Sequence, residues 1–319
     1  MLIFTEEEIR KHVDITEDVI DVVEGAFTDL ETKEVEMPPI IHVNIPENNG
    51  EVDVKTAYIP GHDMFALKVS SGFFSNYELG LPSASGLMLL ISAKTGQPKA
   101  LLQDNGYLTD VRTAAAGAVA SKYMAKETVK NVGVIGAGSQ ARYQLKALEK
   151  VRKFDRVYVY GRTEKRVQEF KEEMVNVLEA EIIVANTPEE VVKNSDIVIT
   201  TTPSKEPIIK TDWIHPGLHI TAMGSDAAQK QELEPEILKE ADMYICDVKS
   251  QCIKLGELRS AVEKGLMSKD QDVIELGQIT SGKVSGRKRE DDITVADLTG
   301  TGAQDTAIAL YAFQKLTAK

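Results

Sequence analysis

The residues with the clearest chemical meaning are glycines that separate an apolar run from an amphipathic stretch. The run Val132–Ile135 predicts a buried strand, and Ser139 begins a predicted helix. Between them, Gly136 allows a tight turn. Gly138 lets the backbone approach a pyrophosphate, which would lie on the free N–H groups of the helix N-terminus. Small Ala141 lets the helix pack close to the strand. This Gly-x-Gly-x-x-Ala turn predicts a dinucleotide site, and an ordinary strand-to-helix turn is the alternative.

Two basic residues are candidates for binding a carboxylate or a phosphate. Arg112 lies near the start of a predicted helix, where the helix dipole and a bidentate guanidinium both favour an anion. A surface salt bridge to a residue such as Asp110 explains Arg112 equally well. Lys68 lies on the alternating strand Phe65–Val69. Its register, opposite to the apolar residues of that strand, favours a solvent-facing lysine.

Acidic residues follow predicted strands in the second half of the chain. Asp226 comes after a strand that ends at Ala222, and ligands of open parallel sheets bind at the carboxyl ends of the strands. A carboxylate there is a candidate general acid–base, and an N-cap to a following helix is the alternative. Asp297 and Asp305 flank the loop 299–302, which either touches a ligand or forms a turn and a helix cap.

The nucleotide turn and Asp226 require a sheet whose strands alternate with helices. Strands are predicted at 132–135, 157–160, 181–184, 197–200, 218–222, 243–246 and 293–295, with a final helix at 303–316. Alternating units of this kind give a doubly wound, mainly parallel sheet. The predicted fold class is therefore α/β.

The first 128 residues show a different order of predicted helices and strands. Thr5 and Glu8 resemble a capping box before a first helix, and a second helix is predicted at 17–33. Apolar residues then alternate along 41–45, 52–57 and 65–69, which predicts antiparallel strands joined by turns at 48–50 and 60–62. Strands at 87–92 and 100–102 continue the sheet, and a helix at 110–122 leads into the second part.

Composition excludes several classes of protein. The chain has 319 residues, enough for two domains, and its net charge of -13 argues against nucleic-acid binding. No run approaches the roughly 18 apolar residues of a membrane helix. The first residues lack the pattern of a signal peptide, and only two cysteines occur, so a reduced, cytoplasmic location is expected. His215 and His219 are separated by Pro216 and Gly217, which denies them a helix, and no metal site is predicted.

Several longer segments of the sequence resemble those of a known protein family. The segments LTDVRTAAAGAVASKYMA, GVIGAGSQA, MGSDAAQKQEL and ITVADLTGTGAQDTAIAL resemble the ornithine cyclodeaminase/mu-crystallin family, in order and over essentially the whole chain. Within that family, KTAYIPG, KVSSGFF, GLPSASGLMLL and LLQDNGYLTDVRT are most similar to two branches. These are the cyclodeaminases of ectoine-utilisation clusters and the iminosuccinate reductases of the β-hydroxyaspartate pathway.

The resemblance implies a particular domain organisation. A dinucleotide-binding Rossmann domain, with a doubly wound parallel sheet, is expected at 125–302. An α+β domain for substrate binding and dimerisation is expected at 1–124, completed by the C-terminal helix 303–319. Family members pair through their N-terminal sheets, so a homodimer is implied.

The resemblance also implies roles for individual residues. Lys68 and Arg112 match the residues that hold the substrate carboxylate. Asp226 matches the catalytic carboxylate beside the nicotinamide. The resemblance implies a catalytic role for Lys68 as well. The implied substrate-binding set is Lys55, Lys68, Arg112, Thr299 and Gly300. The implied cofactor-binding set is Ser83, Arg112, Thr113, Gly136, Gly138, Ser139, Gln140, Arg162, Thr201, Met223 and Lys230.

Two departures from the family pattern bear on the substrate. Where family members often carry an arginine early in the first sheet strand, this sequence has His42. Where ornithine cyclodeaminases carry a glutamate facing the distal amine, it has Lys55. A basic residue there suits a substrate with a second carboxylate, or another acidic or neutral polar group, rather than a distal amine. A Lys55 that points to solvent on this alternating strand is the alternative.

The end of the second nucleotide-domain strand bears on the cofactor. An NAD enzyme usually has an acid there to bind the ribose 2′-OH, whereas a 2′-phosphate prefers a nearby arginine. Here Arg162 follows the strand, Lys165 and Arg166 are close behind, and the first acid is Glu164. We therefore predict NADP(H) in preference to NAD(H), although close relatives in the family use NADH.

The predicted function is the NAD(P)H-dependent reduction of a small imino acid to an amino acid, with iminosuccinate to aspartate as the preferred pair. One alternative is an amino-acid cyclodeaminase, an ammonia lyase that uses bound NAD without net turnover. The other is a non-catalytic NADPH-binding protein like the crystallin branch. The presence of Lys68, Arg112 and Asp226 argues against a non-catalytic protein.

Overall fold

The computed structural model describes residues 1–318, apart from the side chain of Tyr77. The chain forms two compact units. Unit 1 comprises residues 1–112 and the segment from Thr301 onward, and unit 2 comprises Thr113–Gly300. The division from sequence falls instead at 124/125 and 302/303, and those domain limits stay a prediction. The first unit boundary lies within the helix Tyr107–Met124.

Unit 1 begins with strand β1 (Leu2–Thr5) and helices α1 (Glu6–His12) and α2 (Glu17–Thr32). Thr5 ends the strand and caps α1. Its hydroxyl accepts the N–H of Glu8, and the Glu8 carboxylate accepts the N–H of Thr5 at 2.8 Å. This reciprocal pair is the capping box that the sequence predicts.

Six strands form the sheet of unit 1. After β1 they are β2 (Ile41–Ile45), β3 (Gly50–Ala57), β4 (Met64–Phe73), β5 (Ala84–Ser92) and β6 (Pro98–Gln103). Their order is β1-β6-β5-β4-β3-β2. The predicted antiparallel pairing holds from β2 to β6, but β1 pairs parallel with β6. Strand β1 was not among the strands predicted from the sequence.

Helix α11 (Gly302–Thr317) covers one face of this sheet. The Thr306 hydroxyl accepts the N–H of Ala66 at 3.1 Å and donates to the carbonyl of Ala57 at 2.8 Å. Gly302 lies against the backbone of Thr56 so closely that a Cβ would not fit. The helix therefore makes the face that carries Ala57 and Ala66 a buried one.

The other face of the sheet is apolar and only partly covered. On edge strand β2, Ile41 and Val43 are 61% and 50% exposed, and Ile3 on the opposite edge is 56% exposed. Half-buried residues continue this face between the edges, namely Val54, Leu67, Val69, Leu87, Leu89 and Leu101. A contiguous apolar face of this kind is typical of an interaction surface.

Unit 2 contains a parallel sheet of eight strands. They are β7 (Asn131–Ile135), β8 (Arg156–Tyr160), β9 (Glu181–Val184), β10 (Ile197–Thr200), β11 (His219–Ala222), β12 (Met243–Cys246), β13 (Ile274–Glu275) and β14 (Thr294–Asp297). Their order is β13-β12-β14-β11-β10-β7-β8-β9, and every neighbouring pair is parallel. The order reverses between β7 and β10, which is where open α/β sheets bind ligands. The predicted Rossmann-type fold is confirmed.

The remaining helices of the chain begin with α3, Tyr107–Met124, which spans the boundary between the units. The others are α4 (Ser139–Val151), α5 (Glu164–Met174), α6 (Pro188–Lys193), α7 (Glu236–Glu240), α8 (Lys249–Cys252), α9 (Glu257–Glu263) and α10 (Leu276–Thr280). Within residues 1–318, none of the helices combines the length and the apolar character needed to cross a membrane.

Candidate active site

Three cations and one carboxylate are buried together in unit 1. Lys68 Nζ lies 2.9 Å from Asp305 Oδ2 and 3.1 Å from Asp305 Oδ1, and Arg112 Nε lies 2.9 Å from the same Oδ1. Arg112 Nη1 also donates to Gln304 Oε1 at 3.2 Å. Lys55 is 7% exposed and stands directly opposite Lys68 in the β3–β4 register. We call Lys55, Lys68, Arg112 and Asp305 the cationic cluster; fully ionised, it carries two net positive charges.

The lysines are buried because α11 covers the face of the sheet on which they lie. Lys68 does point away from Leu67 and Val69, as its register predicts, but that face is the covered one. A solvent-facing Lys68 and a solvent-facing Lys55 are therefore both wrong, since the two residues are only 2% and 7% exposed. Alternation along a strand shows which residues share a face, but not which face another element will cover.

Arg112 occupies the second turn of α3, because the helix begins at Tyr107, three residues before the predicted start. The attraction of a helix N-terminus for anions is confined to the first turn and does not explain this position. A surface salt bridge does not explain it either, since Arg112 is only 5% exposed. Its guanidinium is held instead by two consecutive side chains of α11, Gln304 and Asp305.

Burial and charge shift the titration of the cluster. Burial lowers the pKa of Lys68, and repulsion from Arg112 and Lys55 lowers it as well, while attraction to Asp305 raises it; together these effects place the pKa at about 7. Burial by itself raises the pKa of Asp305, but the neighbouring cations outweigh burial and the pKa lies below its usual value. Lys68 can therefore gain or lose a proton near neutral pH while Asp305 stays ionised.

In unit 2, the glycine-containing turn joins β7 to α4. Gly136 has a φ of 118° and donates its N–H to the carbonyl of Tyr160 at 2.8 Å. A Cβ at Gly136 would overlap the hydroxyl of Thr201, whereas a Cβ at Gly138, the N-cap of α4, would meet no described atom within 4 Å. The turn thus leaves open space at the N-terminus of a long helix, which fits the approach of a pyrophosphate.

A buried carboxylate connects two strand ends of the same sheet. Glu232 accepts hydrogen bonds from the hydroxyl of Thr200 at 2.5 Å and from the N–H of Gly224 at 2.8 Å. It also accepts the N–H and the hydroxyl of Thr202 at 2.6 and 2.7 Å. Each carboxylate oxygen thus accepts two hydrogen bonds. The backbone fixed in this way flanks two predicted cofactor contacts, Thr201 and Met223.

Asp226 lies on a loop after β11. Its side chain is 48% exposed, and its Oδ1 accepts a hydrogen bond from Lys230 Nζ at 2.7 Å. The N-cap alternative is wrong, because the next described helix, α7, starts at Glu236 with Pro235 as its N-cap. The structure therefore pairs two predicted site residues, one assigned to catalysis and one to the cofactor.

The loop that follows β14 is held by polar contacts within unit 2. The N–H groups of Thr299 and Gly300 donate to Asp247 Oδ2 at 2.8 and 2.6 Å. Gln251 Nε2 donates to the hydroxyl of Thr299 at 2.7 Å and to the carbonyl of Gly300 at 2.8 Å. Thr301 caps α11, as the turn-and-cap interpretation predicts. Substrate contact by Thr299 and Gly300 stays a prediction.

The other predicted residues lie outside these hydrogen-bonded groups. Ser83 is exposed just before β5, and Arg162 is exposed just after β8. Thr113 lies within α3, while Ser139 and Gln140 form the first turn of α4. Among the side chains that the structure describes, no group of three or more His, Cys, Asp or Glu residues could hold a metal ion.

Sequence reasoning missed two buried acids that organise these groups, Glu232 and Asp247, and it named Asp305 only as a residue beside the loop 299–302, not as the counter-ion of buried cations. A signal for Asp305 was available, because three cations predicted to share a pocket require a counter-charge if they are buried. No comparable signal marks Glu232 or Asp247. Their roles depend on backbone N–H groups that only the folded loops bring together.

A model of the ornithine cyclodeaminase/mu-crystallin family matches residues 1–319, and the chain belongs to that family. The resemblance predicted from the sequence is confirmed. An uncharacterized cyclodeaminase of Sinorhizobium fredii is 47% identical over 316 residues, covering 99% of this chain and 96% of the relative.

Several solved structures are similar to this chain over nearly its whole length. The Delta(1)-pyrroline-2-carboxylate reductase of Thermococcus litoralis, in complex with NADH and L-proline, has a TM-score of 0.93, 32% identity, and coverage of 99% and 97%. An archaeal alanine dehydrogenase dimer with bound NAD has a TM-score of 0.91, 33% identity, and coverage of 99% and 95%. The iminosuccinate reductase of Paracoccus denitrificans, in complex with NAD+, has a TM-score of 0.87, 28% identity, and coverage of 99% and 96%. The relatives thus include cyclodeaminases and reductases with NAD(H) bound.

Proposed function

We propose that this protein reduces a small imino acid to the corresponding amino acid, with a nicotinamide dinucleotide as the source of the hydride. The observation that carries the proposal is the buried cationic cluster. Lys68 and Arg112 offer two charged donor groups, which suit the carboxylate common to all α-imino acids. Relatives that act on imines or amino acids support the reaction class.

The residues have separate tasks in this reaction. Reduction of an imine adds a hydride at carbon and a proton at nitrogen; when bound, the dinucleotide supplies the hydride. Lys68 and Arg112 bind the substrate carboxylate and so orient the imine carbon. Asp226, on an exposed loop, stabilises the cationic imine or relays a proton between solvent and the imine nitrogen. Lys68 is a second proton carrier, because its pKa is about 7.

The test measures oxidation of NADH and of NADPH with several oxo acids plus ammonium, and with preformed imines. Oxidation that depends on both the oxo acid and ammonium supports the proposal. Release of ammonia from ornithine or a related diamino acid, without net change in the dinucleotide, would identify a cyclodeaminase instead. Tight NADPH binding with no turnover of any imine would identify a crystallin-like binding protein.

The charge of the cluster points to a substrate with two carboxylates. Lys55, Lys68 and Arg112 bring three positive charges and Asp305 returns one negative charge, so two remain to be balanced. A dicarboxylic imino acid such as iminosuccinate, the imine of oxaloacetate, balances them and yields aspartate. Ornithine would add a further cation, and like charges at contact distance are costly where water is excluded.

Replacing Lys55 with Glu is expected to reduce kcat/KM for iminosuccinate by roughly a hundredfold, because the net charge of the cluster falls from two to zero. The measurement compares oxaloacetate plus ammonium with ornithine, in the wild type and in the variant. Lys99→Glu is the matched control, since Lys99 is an exposed lysine of the same sheet. Efficient ornithine turnover by the wild type would refute the substrate assignment. Unchanged iminosuccinate reduction by Lys55→Glu would show that Lys55 does not set the preference.

For the cofactor, we infer a preference for NADP(H) from the residues after β8. Arg162, Lys165 and Arg166 are all exposed there and could bind a 2′-phosphate. Arg162→Ala is expected to weaken NADPH binding roughly tenfold, with little effect on NADH. Arg156→Ala, at the other end of the same strand, is the control. Fluorescence titration with both cofactors measures the dissociation constants; a wild type that binds NADH as tightly as NADPH contradicts the inference.

We also propose a homodimer. The exposed apolar face of the unit 1 sheet, with Ile41 and Val43 at one edge, suits a second copy of the same chain. The dimeric state of the archaeal alanine dehydrogenase supports this assembly. A solution mass of one chain at micromolar concentration would contradict it.

A further inference from the structure

Asp305 is the carboxylate of the cationic cluster, and it takes no direct part in the proposed reaction. Asp305 is completely buried, and it is the group toward which Lys68 of β4 and Arg112 of α3 both point. Lys55 of β3 acts on it electrostatically as well. Cations on three different elements therefore share one anion supplied by α11.

We propose that Asp305 is a positioning residue for the substrate carboxylate: it orients both the Lys68 ammonium and the Arg112 guanidinium, and it keeps Lys68 charged. This inference rests on the proposed function and deepens it. Asp305 touches neither the reacting carbon nor the nitrogen in the proposed scheme. It acts through the two side chains that bind the substrate.

The orientation argument follows from the hydrogen bonds. Asp305 accepts from Arg112 Nε, and its neighbour Gln304 accepts from Nη1, so two consecutive residues of α11 fix the plane of the guanidinium. The Lys68 ammonium lies within 3.1 Å of both carboxylate oxygens, which restrains a long and otherwise flexible side chain. A pre-oriented pair of donors binds a planar carboxylate with less loss of conformational entropy.

The charge argument concerns the protonation of Lys68. The ionisable groups that act on it are Lys55 from β3, Arg112 from α3, Asp305 from α11 and Asp104 from the segment after β6. Burial raises the pKa of Asp104 to about 6. Lys68 is charged below its pKa of about 7 and neutral above it. Removal of Asp305 takes away an attractive negative charge, so the pKa of Lys68 falls, and neutralisation begins at a lower pH.

The experiment compares Asp305→Asn with the wild type for reduction of oxaloacetate plus ammonium, from about pH 5.5 to 8.5, a range that spans the Lys68 transition. The ratio of the two kcat/KM values is plotted against pH, because the pH dependence of imine formation cancels in that ratio. We expect the ratio to fall as pH rises, by up to roughly tenfold if removal of Asp305 lowers the pKa of Lys68 by about one unit. The loss should appear mainly in KM, since Asp305 acts on binding.

Thr306→Val is the matched control. Thr306 is the next residue of α11 and is fully buried, and its hydroxyl bonds to the backbone of the same sheet rather than to a cation. It should lower the melting temperature and leave the ratio independent of pH. Asp305→Glu, which keeps the charge, should restore part of the wild-type pH profile. If Asp305→Asn loses activity by a pH-independent factor, like a purely structural variant, the inference is wrong.

Calorimetric titration with succinate separates this inference from the proposed function, because it needs no turnover. Suppose that the wild type reduces no imine, yet succinate binding is lost at a lower pH in Asp305→Asn than in the wild type. The proposed function then fails and the role of Asp305 stands. If the wild type reduces the imine but the two proteins show the same pH dependence for both turnover and succinate binding, the proposed function stands and the role of Asp305 is overturned.

Discussion

Asp226→Asn is expected to slow turnover by roughly 10²- to 10⁴-fold, the range attributed to a general acid–base group. Asn has almost the same shape but cannot hold or relay a proton, and it cannot stabilise a cationic imine by charge. The fold should be unaffected, because the side chain is 48% exposed and pairs with Lys230, only four residues away. Dinucleotide affinity should change little. Steady-state kinetics with oxaloacetate and ammonium, together with cofactor titration, measure the two effects separately.

The matched control for this prediction is Asp212→Asn. Asp212 is another exposed aspartate of unit 2, and no role is assigned to it. Its substitution should leave kcat and the cofactor affinity at wild-type values. A kcat close to wild type for Asp226→Asn would remove Asp226 from the mechanism and leave Lys68 as the only assigned proton carrier.

Gly136→Ala is expected to abolish measurable dinucleotide binding and to destabilise unit 2 by about 2–4 kcal/mol. Two independent causes contribute. Gly136 has a φ of 118°, which residues with a Cβ rarely adopt, and a Cβ there would overlap the hydroxyl of Thr201. Relief of both strains requires the turn to move away from β10, and this movement would displace the N-terminus of α4. Thermal unfolding and NADH fluorescence titration follow the two consequences.

Gly138→Ala separates the loss of binding from the loss of stability. Gly138 does not have a positive φ, and a Cβ there would meet no described atom within 4 Å. The variant should therefore unfold at nearly the wild-type temperature. If a pyrophosphate approaches at this point, the added methyl group would still weaken cofactor binding by roughly tenfold or more. A tenfold loss corresponds to about 1.4 kcal/mol of binding free energy. Wild-type affinity in Gly138→Ala would show that the phosphates lie elsewhere.

Local patterns were sufficient to predict the parallel sheet of unit 2. Runs such as Val132–Ile135 and Ile197–Thr200 are buried on both faces, so they read as continuous apolar stretches between helices. Strand β13 escaped prediction because it has only two residues, and β1, which pairs with β6 about a hundred positions later, was not predicted either. Their pairing depends on neighbours far away in sequence, and no local periodicity records it.

Some residues of the candidate site could likewise be predicted from local sequence, and others could not. Gly136 and Gly138 could be assigned from local sequence, because the chemistry of the turn resides in consecutive residues. The burial of Lys55 and Lys68 could not, because it depends on a helix that the chain adds near its end. For Asp226, the sequence gives its place after a strand, but the absence of a following helix depends on how the loop up to Pro235 folds.

The place of Asp305 in the chain has a consequence for biosynthesis. It follows Lys68 by 237 positions and Arg112 by 193, so the ribosome completes unit 2 before it makes the counter-ion for these cations. Until α11 emerges, the nascent N-terminal sheet has no helix to cover its charged face, and closing that face would bury unpaired cations. Domains generally fold as units during translation, the N-terminal one first. We expect that order to be reversed here, because unit 2 is fully synthesised while unit 1 still lacks its last helix.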